Sequence, residues 1–148
     1  MKEVAVAQKR VLRAMAGRRY WKWQTPLESC RPLFIELDIL PVFSLYVLEC
    51  AKFARKNPEK FKKNSEVENN LTRGTRNKPV RENDLFVKPV RLTQSAQNPL
   101  IMVARIYNKL PENLKSDEDD KSFVKRLKKI LKDNVFYDIH EFMLYEFD

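Results

Sequence analysis

The chain has 148 residues, of which 43% are apolar, enough for one modest core, so a single helical domain over 1–148 is expected. Twenty-nine lysines and arginines against 20 acidic residues give a net charge of +9, which favours polyanionic partners without choosing among DNA, RNA and membrane. Two glycines are too few for a turn-dense β-sandwich, and two cysteines with one histidine cannot furnish the clustered ligands of a structural zinc site, so no metal and no cofactor is expected.

The first element is a helix. Val4, Val11, Leu12 and Met15 fall on one stripe, with Lys9, Arg10 and Arg13 largely off it, and Gly17 supplies a residue that tolerates positive φ at the C-terminal cap. The same three cations break any secretory apolar core. Thr25-Pro26-Leu27-Glu28 has the form of a capping box, but Pro32 sits better in the first turn of a helix that begins at Cys30 and runs through Phe34 and Leu37. Pro41 permits a new helix start. Residues 42–54 are apolar on nearly every side apart from Glu49 and Lys52, which predicts a central, buried helix ended by Asn57-Pro58. The apolar run 39–48 is broken by Pro41 and Ser44 and is too short to span a bilayer, so no membrane partner is expected. Cys30 and Cys50 then read as two buried, reduced thiols of an intracellular protein, in which the Asn70-Leu71-Thr72 sequon stays idle.

From 55 to 81 the apolar residues thin out while nine basic residues face three acidic ones, and 55–98 reads as a basic, loop-rich insertion with 85–87 as a short extended piece. Pro99 opens the next helix, with Ile101, Met102, Arg105, Ile106 and Leu110 near one face and Pro111 as its stop. An acidic start at 116–120 leads a helix with Phe123, Leu127, Ile130 and Leu131 on one stripe, and Asp138 can cap a last short helix carrying Phe142 and Tyr145. The expected fold is an all-α, compact bundle of about five or six helices with one long basic loop.

Catalytic signals are weak. Polymerase chemistry needs carboxylates that hold two metal ions, on a tight hairpin flanked by apolar residues. The one adjacent aspartate pair, Asp119-Asp120, lies instead among Asp117, Glu118, Lys121 and Ser122, as a solvated helix start does. His140 has no nucleophile partner defined by the sequence, and glycine-rich phosphate loops are absent, so the chain is not expected to be an enzyme. Basic arrays remain. Arg73, Arg76, Lys78 and Arg81 can wrap a phosphate backbone, or belong to a plain linker. Arg18, Arg19, Trp21 and Trp23 mix charge with rings that either stack on bases or plug the core. Lys121, Lys125, Arg126, Lys128, Lys129 and Lys132 form a further basic helix face, which dipole complementarity at a helix C-terminus explains equally well.

Several ordered blocks carry a likeness to a known family. They are Ser29-Cys30-Arg31-Pro32-Leu33-Phe34, Leu37-Asp38-Ile39-Leu40, Thr75-Arg76-Asn77-Lys78, Tyr107-Asn108-Lys109-Leu110-Pro111-Glu112-Asn113-Leu114-Lys115 and Phe123-Val124-Lys125-Arg126-Leu127-Lys128-Lys129. In that order they resemble the C-terminal region of jockey-like non-LTR retrotransposon reverse transcriptases, downstream of the polymerase core. The pattern departs at Arg73, where the family carries an aromatic, and over 20–25. The resemblance implies a truncated, non-catalytic accessory region of an RNA-directed DNA polymerase that holds RNA or DNA beside a polymerase core. The alternative is a protein-interaction or structural remnant that docks on a polymerase or another protein and binds no nucleic acid.

Overall fold

The computed structural model describes residues 1–17, 29–67, 81, 83–89, 98–116 and 119–147. Over these the chain is all-α. Seven α-helices are present: α1 Lys2–Ala16, α2 Arg31–Glu36, α3 Val42–Lys56, α4 Pro99–Lys109, α5 Glu112–Lys115, α6 Asp120–Asp133 and α7 Ile139–Leu144. The expected capping box at 25–28 lies outside the described residues. Packing divides the chain into two units, one of Met1–Leu48 with Lys121–Glu146 and one of Glu49–Asp120.

In the first unit α1 ends at Gly17, whose φ of 65° is the positive value a glycine takes without strain. The predicted stripe is only partly interior. Leu12 is 1% exposed, whereas Val4, Val11 and Met15 are 56%, 57% and 61% exposed. The helix meets its unit through the edge marked by Gln8 and Leu12, and Leu12 lies about 100° round the axis from Val11. Gln8 joins two elements: its Nε2 donates to the Leu40 carbonyl at 2.8 Å, and its Oε1 accepts from Val42 N at 2.9 Å. The second bond satisfies a backbone donor left open where α3 begins.

Helix α2 starts as expected, with Pro32 in its first turn. Its end is a Schellman motif, in which Ile39 N donates to Phe34 O at 2.9 Å and Asp38 N to Ile35 O at 3.1 Å. The position that motif usually gives to glycine is held by Asp38, with φ 54°. Aspartate is among the few residues that tolerate this region. Phe34 and Leu12 pack with Cys30 and Val135, and Leu37, Ile39 and Tyr137 lean on the same cluster.

Helix α6 carries the clearest amphipathic pattern. Phe123, Leu127 and Leu131 recur every four residues and are 0% exposed, while Ile130 is half-buried. Asp138 caps α7 by accepting from Glu141 N at 2.8 Å, and Phe142 is fully buried beneath it. Phe136 meets Phe142 and Tyr145 edge to face at 5.5 and 5.4 Å.

Helix α3 is less enclosed than its composition predicts. Phe43, Ser44, Val47 and Leu48 are buried, but Leu45 is 43% exposed and Glu49 faces solvent. A fifteen-residue helix that shows all its faces to neighbours needs packing all round, and Leu45 lies on the side that lacks it.

The second unit holds the rest of α3, where Cys50, Ala51 and Ala54 are buried, together with α4 and α5. The stretch expected to be loop is structured at both described ends. Helix α3 continues to Lys56, 3-10 turns follow at Pro58–Lys60 and Asn64–Glu66, and Phe61 meets Phe53 edge to face at 6.2 Å. Lys63 and Leu85 form an isolated antiparallel bridge, flanked by Phe86 N to Lys62 O at 2.7 Å and Asn64 N to Asp84 O at 2.9 Å. This is the short extended piece read at 85–87. Asn98 caps α4 by accepting from Leu100 N at 2.9 Å. The buried side of α4 is Val103, Ala104, Ile106 and Leu110, while Ile101 and Met102 are half-buried and Arg105 is exposed. The interior face is thus centred on Val103 and Ile106 rather than on Met102 and Arg105.

Candidate nucleic-acid interface

Of the eight residues nominated from sequence for binding, Arg18, Arg19, Trp21, Trp23, Arg73, Arg76 and Lys78 lie outside the described residues. Arg81 is described. Its guanidinium is exposed and reaches Glu112 at 3.7 Å, and its carbonyl accepts from Asn64 Nδ2 at 2.9 Å. The bond from Asn64 holds the Arg81 backbone beside the 3-10 turn at Asn64–Glu66.

The long motif at 107–115 braces the described residues Asp84 and Leu85. The Asn108 side chain takes both polar groups of Leu85, accepting from its N–H at 2.8 Å and donating to its carbonyl at 2.7 Å. Lys115, whose side chain is 8% exposed, places its Nζ 2.8 Å from Asp84 and 3.1 Å from Glu112, and also donates to the Asn108 carbonyl at 3.3 Å. Burial raises the Tyr107 phenol above its usual value against the opposing influence of Arg55 and Lys115.

The 29–34 motif is likewise structural. Arg31 donates through Nε to the Val135 carbonyl at 3.1 Å and through Nη2 to both Glu141 oxygens at 2.9 Å. Glu141 in turn accepts from Tyr137 N at 2.8 Å. The Tyr137 ring lies between cations, with Lys9 Nζ 3.6 Å and the Arg31 guanidinium 4.8 Å from its centroid. Burial raises this phenol too, opposed by the Ser29 hydroxyl 3.2 Å away.

The carboxylate pair is placed as a helix start. Asp120 opens α6 and accepts from Arg55 Nε at 2.8 Å, and Arg55 also approaches the Lys115 carbonyl at 3.5 Å. His140 is exposed on α7. Among the described residues no group of three His, Cys, Asp or Glu side chains is placed to hold a metal ion. No described helix is long and apolar enough to cross a membrane.

The basic face of α6 is where cations gather. Opposite the buried Phe123, Leu127 and Leu131, the side chains of Lys125, Lys128 and Lys129 are exposed. With Lys132 they line an open cleft of about 400 Å³ closed on its other side by Phe34, Ile35 and Asp38 of the α2 end. Lys132 is already committed, its Nζ lying 2.6 Å from the Asp38 carboxylate. No ion pair occupies Lys125, Lys128 or Lys129 among the described residues. Lys125 and Lys129 stand about 6 Å apart along the helix axis at about 1.5 Å per residue, and Lys128 directly precedes Lys129, so the three cations form a compact cluster at the cleft. The apolar spacing of four at 123, 127 and 131 signals the opposite, basic face in the sequence; the closing wall from α2 has no local signal.

No family model, curated protein or solved structure matches the chain.

Proposed function

We propose that this chain is a non-catalytic, nucleic-acid-binding helical region, of the accessory kind that its resemblance to the C-terminal part of retrotransposon reverse transcriptases implies. The observation that carries the reading is the cluster of Lys125, Lys128 and Lys129, exposed at a cleft and without ion-pair partners among the described residues, on a chain of net charge +9. Four lysines against two carboxylates, Asp38 and Asp133, leave the cleft net positive, and the sugar-phosphate backbone of a nucleic acid supplies complementary charge. The arginines at 73, 76 and 81 with Lys78 extend the same chemistry in the sequence. On this reading a polymerase core is the neighbouring protein and the compartment is intracellular.

Salt titration of binding to labelled RNA and DNA oligonucleotides tests it. Each phosphate contact adds roughly 0.7 to 0.9 to the slope of log affinity against log salt, so Lys125→Ala with Lys128→Ala and Lys129→Ala should lower that slope by about 2 to 3. Replacing Arg73, Arg76, Lys78 and Arg81 by alanine measures the share of the second array. Absence of binding at low salt refutes the reading. It leaves the protein-interaction alternative, which the exposed Val4, Val11 and Met15 on α1 favour.

A further inference from the structure

A second cleft adjoins the lysine cluster. It opens about 590 Å³ between α2 and the turn leading into α7, and its lining is mostly apolar: Ile35, Val135, Phe136, Leu144 and Tyr145, with Asp133 at its edge. Ile35 and Asp133 line both clefts, so the apolar one begins where the basic one ends. Two of these apolar side chains are left open, Ile35 being 57% and Leu144 66% exposed, while Val135 and Phe136 are buried behind them. The Tyr145 ring is held in place by its edge-to-face contact with Phe136 at 5.4 Å and 74°. At the other side of the cleft Arg31 and Glu141 neutralise one another at 2.9 Å, which leaves Asp133, at the junction with the basic cleft, as the remaining charged side chain of the lining.

A ligand that fills both clefts must be anionic along one part and flat and apolar in an adjoining part. A duplex shows only its phosphates and groove edges to such a surface, with the flat faces of its bases stacked away. A single strand presents a π-face beside every phosphate. We propose that the two clefts form one single-strand subsite: the Lys125, Lys128 and Lys129 cluster holds the phosphate backbone, and the base of a nucleotide at the Asp133 end seats against Tyr145, Leu144 and Ile35. The proposal rests on the nucleic-acid-binding reading above and adds to it a selection for unpaired strands.

The experiment is a binding cycle with the full chain and three probes: a fluorescent single-stranded RNA, the same length of duplex, and a strand of equal length and charge in which the bases are replaced by hydrogen at the sugar. Two variants, Tyr145→Ala and the double Ile35→Ser with Leu144→Ser, probe the apolar cleft, and the second alters only exposed side chains and so spares the core. Each should weaken single-strand binding about fivefold or more, the scale of one lost base stack, and change duplex binding less than twofold. Wild-type protein should bind the abasic strand as weakly as the variants bind the normal one, and the variants should lose nothing further on the abasic strand. A merely structural role for these side chains would lower binding to all three probes alike, which overturns the subsite. So does unchanged single-strand affinity in the double variant. If the triple lysine variant binds every probe like wild type, the α6 reading itself fails. If the chain binds polyglutamate but no nucleic acid, the clefts belong to a protein partner and both readings are overturned.

Discussion

Replacing Leu127 by alanine tests the central claim about α6, that its hydrophobic stripe supplies the core of the first unit. The side chain is 0% exposed, one helical turn from Phe123 and Leu131, which are equally buried. Three carbons leave the interior, worth about 2.4 kcal/mol at ~0.8 kcal/mol for each buried CH₂. The vacated space adds a further penalty, so the expected cost is about 3 to 4 kcal/mol within the usual 2 to 5 for such truncations. Leu45→Ala is the matched control within the same unit. That side chain is 43% exposed, so its removal should cost about 1 kcal/mol, because only part of its surface leaves water on folding. Urea unfolding followed by far-ultraviolet circular dichroism measures both. Equal losses in the two variants, or a loss under about 1 kcal/mol for Leu127→Ala, would refute the assignment of the core.

Two further outcomes are expected. Lys115→Met strands the Asp84 carboxylate, which is only 16% exposed, and should destabilise the chain by about 3 kcal/mol, with Asp84→Asn added to the same variant restoring part of the loss in a urea double-mutant cycle. Because burial raises the phenols of Tyr107 and Tyr137, their protonated forms are favoured by folding; the contribution is fully present below pH ~10 and is lost as pH climbs through the higher folded values. The urea midpoint should therefore decline above that pH, and Tyr107→Phe with Tyr137→Phe should make the decline shallower; an unchanged decline removes the tyrosines as its cause.

The helices were legible wherever local chemistry decides them. Pro41, Asn57-Pro58, Pro99 and Pro111 mark starts and stops through the missing N–H and the restricted residue before proline, and the helix bounds at 42, 56, 99 and 109 agree. The stripe of α6 was legible because 123, 127 and 131 are separated by charges. On α1 periodicity was insufficient: Val11 and Leu12 are both apolar, and only the packing partner decides which one is buried. On α3 the polar side was marked by Glu49 and Lys52, and Leu45 lies on that same face at i−4 and i−7, so its exposure follows from a pattern that the apolar run obscured. The motifs at 29–34 and 107–115 were visible as patterns, but the work of Arg31, Asn108 and Lys115 depends on residues 23 to 110 positions away in the chain. The wall that α2 lends to the lysine cleft was invisible for that reason too.

The Asn108 clamp bears on how an otherwise helical chain keeps an extended segment out of trouble. At the bridge between Lys63 and Leu85 the ladder bonds come from the flanking residues, so the N–H and carbonyl of Leu85 point to the opposite side. Left bare, that side is the template on which a foreign strand can dock and begin sheet growth. A single carboxamide, carrying one donor and one acceptor at peptide-like spacing, imitates the missing neighbour and closes the template at Leu85. The safeguard is one residue wide. Aspartate at 108 keeps an acceptor for the Leu85 N–H but has no donor for its carbonyl, so hydrolytic deamidation of this asparagine would reopen the edge and turn a slow chemical ageing reaction into a route to self-association.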